Sequence, residues 1–196
     1  GVAGGGGGAD NLAVGNGGRG GGGAGGLRSN MPSVPYALPS TMWRSSGGTA
    51  SYTVTVGAGG GGNQESNGYP GTDSSIVGNS INIVASGGGG GAHYPNNANP
   101  GGSGGGSSYY ASPGRDEGST IASPDGMSPT QQGFRGGRTP TSGAGGGGAG
   151  AQGSDTNSSP ANGGSDGGAG LQVIIAGPDA QFPLGAGGGY FAGGGG

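Results

Sequence analysis

The sequence predicts an irregular, all-β-like fold: a layered bundle of polyglycine-II helices with a few short β-strands and essentially no α-helix. Glycine accounts for 62 and proline for 13 of the 196 residues, and only 28% of the residues are hydrophobic. Each interior glycine destabilises an α-helix by about 1 kcal/mol and each proline by about 3 kcal/mol. The hydrophobic content is also far below the roughly 45–50% of ordinary globular domains, so a large apolar core is not expected.

The glycines are grouped in tracts, which is the second observation behind this fold. The tracts occupy residues 4–8, 17–26, 57–62, 87–91, 101–106, 143–153, 163–170 and 185–196. A single tract is usually a flexible linker. Eight tracts joined by short polar segments instead favour polyproline-II geometry, which has three residues per turn and turns its N–H and C=O groups towards neighbouring helices. Arg19 and Ala24, inside the second tract, are then expected on an outer face.

Three segments that alternate apolar and polar residues predict β-strands in a small supporting sheet, which is the third observation. The apolar residues expected on one face are Tyr52, Val54 and Val56 in the first segment, Ile81, Ile83 and Ala85 in the second, and Leu171, Val173 and Ile175 in the third. Each segment leads directly into or out of a glycine tract. The strands are therefore expected to form a small sheet that anchors the whole bundle.

The order of these elements resembles the glycine-rich domains of bacteriophage tail fibres. TVTVGAGGGG is followed by GTDSSIVG and INIVASGGGGGA, which gives strand, glycine tract, variable loop, Gly-x-Asp-Ser-Ser-apolar element, strand and five-glycine tract. NGGSDGGAGLQVIIAG and GAGGGYFAGGGG resemble further pieces of this pattern. The resemblance covers most of residues 50–196. Within this class of domains, the chain is similar to the small adhesins at the tips of T-even-like long tail fibres. It implies a sandwich of polyglycine-II helices whose variable distal loops contact a bacterial receptor.

The chain is predicted to form one continuous structural unit in two parts. Residues 1–49 hold the N-terminal glycine tracts and an insert that contains Pro and Trp, and residues 50–196 hold the polyglycine-II bundle with its variable loops. A small apolar cluster is predicted within the insert, formed by Met31, Val34, Leu38, Met42 and Trp43. Because both ends fall within glycine tracts, we expect a processed chain or a portion of a longer one.

No pattern in the sequence predicts a catalytic, cofactor-binding or metal-binding site, so a non-enzymatic protein is expected. The chain has no Cys and a single His, and it lacks the G-K-[ST] phosphate-binding motif. The G-x-G-x-x-G spacing at residues 15–20 has no strong strand before it and no helix after it. FRGGR at residues 134–138 is a single copy of an RNA-binding pattern, and Ser165-Asp166 does not match the calcium-binding repeats. A net charge of −3 and the absence of a long apolar run favour neither nucleic-acid binding nor membrane insertion.

Recognition residues are expected in the inserts between the tracts, because scaffolds carry function on their loops. The inserts are residues 28–48, 63–72, 92–100, 107–141 and 154–162. Aromatic and Arg side chains are enriched at recognition surfaces. The receptor-binding candidates are therefore Tyr109, Tyr110, Arg115, Phe134, Arg135 and Arg138, together with His93 and Tyr94. The alternative is that these side chains cap and cover the bundle. Asn157-Ser158-Ser159 is a glycosylation sequon, which is used only in a secreted eukaryotic protein.

Two functions are compatible with this sequence. The first is a tail-fibre domain or tip adhesin in a virion, which binds a host cell-surface receptor that is either an outer-membrane protein or a glycan. The second is a subunit of an extracellular filament that polymerises with copies of itself through its glycine tracts. A discrete particle that binds cells would indicate the first function, and a polymer would indicate the second.

Overall fold

The computed structural model describes residues 1–9, 18–31, 33–39, 51–78, 81–109, 117–140, 142–155, 164–173 and 189–196. These residues contain no helix. Their regular elements are five short strands, namely β1 (Thr53–Thr55), β2 (Ser74–Gly78), β3 (Ile81–Ala85), β4 (Leu171–Val173) and β5 (Gly189–Phe191). The prediction of a largely irregular fold with a few short strands and no helix is confirmed at this level.

The strands form two antiparallel sheets, so the prediction of one shared sheet is wrong. One sheet has the order β1-β2-β3, and the other pairs β4 with β5, with Leu171 opposite Phe191. The first predicted segment contains β1, the second (SSIVGNSINIVAS, residues 74–86) contains both β2 and β3, and the third contains β4. Ile175 lies outside the described residues. The sequence predicts a single strand over residues 74–86, whereas the structure has two strands there that pair with each other. Strand β5 is not predicted, because it lies in a glycine tract and glycine is depleted in strands.

Strand β3 buries the face that its alternation predicts. Ile81, Ile83 and Ala85 are buried, whereas Asn82 is exposed. The two isoleucines pack with Leu38 in a small apolar cluster. Strand β1 lies at the edge of the same sheet and is exposed along its whole length. The buried apolar cluster of this sheet therefore involves β3, Leu38 and Met127.

Backbone hydrogen bonds join the glycine tracts to one another, and they recur at every third residue. Tract 20–26 donates to tract 86–92 through the pairs Gly20–Ala92, Gly23–Gly89 and Gly26–Ser86, at 2.8–3.1 Å. Tract 86–92 donates in turn to tract 4–8 through the pairs Gly88–Gly4 and Gly91–Gly7, at 2.9 and 3.1 Å. In an antiparallel β-ladder, residues facing one neighbour alternate with a period of two. The spacing of three shows that successive residues of a tract face different neighbours.

Tract 20–26 lies inside this arrangement. Ala24 donates its N–H to the Gly147 carbonyl and accepts a hydrogen bond from the Ser103 N–H. Only 4% of Ala24 is exposed, so the prediction that it points outward is wrong, and Arg19 is half-buried. The physical reason is that this tract has tracts on several sides, and a methyl group is small enough to fit between them.

The glycines of the buried tracts supply close approach rather than unusual backbone angles. Among the described glycines only Gly78 and Gly126 have positive φ. A Cβ added to Gly89 would overlap the backbone carbonyl of Asn99, and one added to Gly91 would overlap that of Gly20. At Gly61, by contrast, an added Cβ would meet nothing nearer than 3.9 Å. At Gly89 and Gly91 the tracts thus approach one another more closely than a side chain would allow.

A second apolar cluster lies among the residues that enclose the tracts. It consists of Leu27, Val34, Tyr36 and Ala149. The Tyr36 hydroxyl donates to the Ala149 carbonyl at 2.6 Å, and burial raises the pKa of Tyr36 to about 12. The cluster predicted within residues 28–48 is thus divided: Val34 belongs here, with Met31 packed against it, whereas Leu38 packs on β3. Met42 and Trp43 lie outside the described residues.

A fully buried ion pair fixes the sheet to the first insert. Arg28 Nη2 lies 3.1 Å from Asp125 Oδ1, and neither side chain is exposed. The other carboxylate oxygen of Asp125 accepts a hydrogen bond from the Val84 N–H of β3 at 3.0 Å. Arg28 also donates to the carbonyl oxygens of Met127 and Pro129. One polar group thus connects three segments that are far apart in sequence.

Candidate recognition surface

The hydrogen-bond register defines the direction of each tract. Tract 86–92 donates hydrogen bonds to tract 101–107 through the pairs Gly89–Ser103 and Ala92–Gly106. Tract 101–107 in turn donates hydrogen bonds to residues 134–137 through the pairs Gly104–Phe134 and Ser107–Gly137. In both sets of pairs the residue numbers of donor and acceptor increase together, so tract 86–92, tract 101–107 and residues 134–137 run parallel to one another. His93, Tyr109 and Arg138 each follow one of these tracts. They therefore lie at the same end of the molecule, which we name the loop end.

The opposite end carries the strands. Tract 143–149 runs antiparallel to residues 134–137, through the pairs Phe134–Gly148 and Gly137–Gly145. Its last residue, Ala149, thus lies far from the loop end, and it donates its N–H to the Ala192 carbonyl just after β5. Strand β3 likewise leads into the start of tract 86–92. We name this the sheet end.

Asn67 joins two inserts at the loop end. Its Oδ1 accepts a hydrogen bond from the His93 N–H at 2.8 Å. Its Nδ2 donates to Asn99 Oδ1 at 2.8 Å and to the Asn97 carbonyl. His93 is half-buried, whereas Tyr94 is 47% exposed. The structure therefore brings the predicted residues His93 and Tyr94 together on one surface, which we name the amide surface (residues 63–70 and 93–99).

Sequence reasoning missed Asn67, although a signal for it exists. Asn67 and Gly68 form an Asn-Gly pair, which is typical of turns. A turn at this position brings an amide side chain to the tip of the insert, where it has two donor hydrogens and an acceptor oxygen. The sequence does not reveal which distant segment those groups bind, because tract register decides this.

Arg135 is held by two carboxylates. Its Nη1 lies 3.2 Å from Glu117 Oε1, and its Nη2 lies 2.9 Å from Asp155 Oδ2. Asp155 Oδ1 also accepts a hydrogen bond from the Arg138 N–H at 2.8 Å. The hydrogen bond from Arg135 holds the pKa of Asp155 below its usual range and raises the pKa of Arg135. Arg135 thus positions Asp155 at the start of insert 154–162. The exposed Arg138 lies beside Asp155.

Phe134 and Tyr109 have different surroundings. Phe134 is half-buried and packs against the Leu27–Val34–Tyr36–Ala149 cluster, so the structure separates it from the loop end. Tyr109 is half-buried, and its N–H donates to the Gly18 carbonyl at 2.9 Å. The remaining sequence candidates, Tyr110, Arg115 and the sequon at Asn157, lie outside the described residues.

The loop end carries polar and aromatic side chains that can contact a ligand. Its amide, imidazole and phenol groups can donate and accept hydrogen bonds. In the described ranges, no group of three His, Cys, Asp or Glu side chains is arranged to hold a metal ion. No helix long and apolar enough to cross a bilayer occurs in the described part of the chain.

Comparison with known proteins places the chain at the level of a broad domain type. A family model described as a glycine-rich domain matches residues 1–196. Searches of curated proteins and of solved structures found no match. The family description names no tail fibre, virus or receptor.

Proposed function

We propose that the chain, which belongs to the glycine-rich domain family, is a non-enzymatic recognition protein. It acts as a tail-fibre domain or tip adhesin of a bacteriophage, located in the virion, and binds a receptor on the host cell surface. One observation carries this proposal. His93, Tyr94, Tyr109 and Arg138, four of the residues selected from the sequence, lie at one end of a scaffold whose tracts are joined by backbone hydrogen bonds.

The scaffold in this proposal is a layered sandwich of polyglycine-II helices. That helix has three residues per turn, so every third N–H points to the same neighbour. The three-residue spacing of the hydrogen bonds between the tracts supports this geometry. The negative φ of the tract glycines supports it as well, because the left-handed polyproline-II helix has φ near −75°.

The scaffold contributes to binding through preorganisation. Its hydrogen bonds use main-chain atoms, so residues in the connecting loops can change without removing them. A surface that is already ordered loses less conformational entropy when it binds. The loop end can therefore vary its specificity while the bundle is retained.

Cell binding tests this proposal. The labelled protein is expected to bind saturably to a subset of a panel of Gram-negative and Gram-positive strains. The double variant Tyr94→Ala/Arg138→Ala should lose at least roughly tenfold in apparent affinity, as for contacts worth more than about 1.4 kcal/mol. The control variant Tyr190→Ala removes an exposed tyrosine at the sheet end and should bind like the original protein. Absence of saturable binding to any strain, or equal losses in both variants, would refute the adhesin proposal.

A second candidate, a filament subunit, is favoured by the edge tract that follows β1. Gly59, Gly61 and Gly62 are exposed, and no described residue accepts a hydrogen bond from their N–H groups. Within a single chain, alanine would fit at Gly61 and would lose less conformational entropy on folding than glycine does, so packing inside one chain does not explain the glycine there. Close approach of a second chain would explain it. Val56, just before the tract, is 82% exposed, and unpaired backbone edges pair with other chains.

Sedimentation at increasing protein concentration tests this second candidate. A filament subunit should form polymers, and Val56→Lys should suppress them, because an edge charge blocks pairing. A protein that stays monomeric at every concentration contradicts the filament candidate.

A further inference from the structure

We propose that the receptor bound at the loop end is a neutral carbohydrate, and that the amide surface is its binding site. This inference rests on the proposed recognition function and specifies the chemistry of the partner. Its basis is the composition, exposure and fixed geometry of two inserts that pack together.

The amide surface is rich in side chains that match hydroxyl groups. Its six amide residues are Asn63, Gln64, Asn67, Asn96, Asn97 and Asn99. An amide side chain offers both donor hydrogens and an acceptor oxygen. A sugar hydroxyl also donates and accepts. Asn63, Asn67 and Asn99 hold the two inserts through internal hydrogen bonds, and the exposed Gln64, Asn96 and Asn97 face solvent, where hydroxyls can reach them.

Two tyrosines supply the apolar component. Tyr69 is 59% exposed and Tyr94 is 47% exposed. The ring of tyrosine combines a flat apolar face with a polar edge. The C–H groups on one face of a pyranose pack against such a ring, while its hydroxyls remain available to the surrounding amides.

The charges and side chains of this surface favour a neutral sugar over other partners. Residues 63–70 and 93–99 contain no Arg or Lys, which are the usual partners of carboxylate, phosphate and sulfate groups. Besides the exposed Pro70 and Pro95, their one aliphatic residue is Ala98, which is buried. Protein interfaces concentrate their binding energy in Trp, Tyr and Arg within apolar, desolvated pockets. The amide surface has two exposed tyrosines but neither Arg nor an exposed Leu, Ile, Val or Met, which makes a sugar a better match for it than a protein.

The backbone beneath these side chains is fixed before any ligand binds. Asn63 Oδ1 accepts hydrogen bonds from the N–H groups of Glu65 at 3.0 Å and Ser66 at 3.3 Å. The Asn96 N–H donates to the His93 carbonyl at 2.7 Å, and Asn67 joins the two inserts. Gln64, Asn96 and Asn97 remain exposed on this frame. Binding therefore requires ordering of side chains but not of loops, which reduces its entropic cost.

The test combines a glycan array with binding to whole cells. The array carries neutral oligosaccharides of hexoses and N-acetylhexosamines beside sialylated and sulfated ones, and the full chain is the probe. We expect binding to one or more neutral glycans. Tyr94→Ala and Asn96→Ala should each weaken that binding about tenfold, whereas Tyr94→Phe, which keeps the ring, should weaken it less. Tyr190→Ala, at the sheet end, is the matched control and should leave it unchanged.

The outcomes separate this inference from the function on which it rests. Cell binding that survives periodate oxidation of surface sugars but is lost after protease treatment identifies a protein receptor, which overturns the carbohydrate inference and leaves the adhesin function standing. Binding to acidic glycans alone also overturns the inference. Failure to bind both cells and array overturns the adhesin function itself. If Tyr94→Ala does not fold, as judged by thermal unfolding, Tyr69→Ala takes its place with the same expected loss.

Discussion

Replacing a buried tract glycine by alanine tests whether close backbone packing holds this molecule together. The Gly89 N–H donates to the Ser103 carbonyl at 2.9 Å, and its carbonyl accepts a hydrogen bond from the Gly23 N–H at 2.8 Å. A Cβ at Gly89 would overlap the Asn99 carbonyl, which is main chain and cannot rotate aside. The tract must therefore move, and both hydrogen bonds are strained.

The expected cost follows from these contacts. Loss of two hydrogen bonds costs about 0.5–1.5 kcal/mol each, and overpacking of the interior costs about 1–3 kcal/mol. Gly89→Ala should therefore lower the free energy of unfolding by roughly 2–6 kcal/mol, a large part of the about 5–15 kcal/mol of a typical domain. Gly61→Ala is the matched control, since its Cβ has room and its φ is not positive. That variant should be stabilised by about 0.4–1 kcal/mol, because alanine restricts the unfolded chain.

Urea unfolding measures both effects when the free energy is extrapolated linearly to zero denaturant. Tyrosine fluorescence is a suitable signal, since the chain has seven tyrosines. If Gly89→Ala unfolds at the same urea concentration as the original chain, close approach of the tracts is not what stabilises the fold. Equal destabilisation of both variants would show that glycine matters for a reason other than space.

Two further predictions concern buried polar groups. Arg28→Met leaves the Asp125 carboxylate buried without its partner and should lower the free energy of unfolding by about 3–5 kcal/mol. Arg28→Met/Asp125→Asn, which removes both charges, should lose less in the same urea assay, and an equal or larger loss contradicts this account. The pKa of Tyr36 is raised to about 12 in the folded state, from about 10 in the unfolded state. The contribution of Tyr36 to the free energy of unfolding is therefore complete below pH 10 and is lost as the pH rises towards 12. At about 1.36 kcal/mol per pKa unit, the expected loss in the free energy of unfolding is roughly 2–3 kcal/mol. Urea titrations across this pH range should show no such loss for Tyr36→Phe. Identical alkaline losses in both proteins would refute the assignment of the effect to Tyr36.

The sequence predicted those parts of the fold that depend on local pattern. Alternation at Ile81, Ile83 and Ala85 was sufficient to place β3 and its buried face. Ala24 was assigned to the surface because the tracts look alike in sequence, and only their register shows which one lies inside. For the same reason the pairing of β4 with β5 could not be predicted, since it joins segments separated by residues 174–188.

The candidate site was predictable to a similar extent. His93 and Tyr94 were found because they follow a tract directly, and the end of a tract is an end of the bundle. Phe134 has the residue type of a recognition surface but packs on an apolar cluster, because its tract passes beside Ala149. Arg135 was selected for its charge, yet Glu117 of its own insert and Asp155 of the next insert neutralise it. These outcomes depend on long-range contacts that residue type alone does not encode.

An interior made of peptide groups also changes how stability depends on temperature. Exposure of apolar surface on unfolding raises the heat capacity, whereas exposure of polar surface lowers it. The buried tracts contribute mainly main-chain amides, and the two apolar clusters are small. The heat-capacity increment per residue should therefore lie below the usual value of about 12–15 cal/mol/K. A small increment flattens the curve of free energy against temperature, so the folded state should change little in stability between cold and warm surroundings.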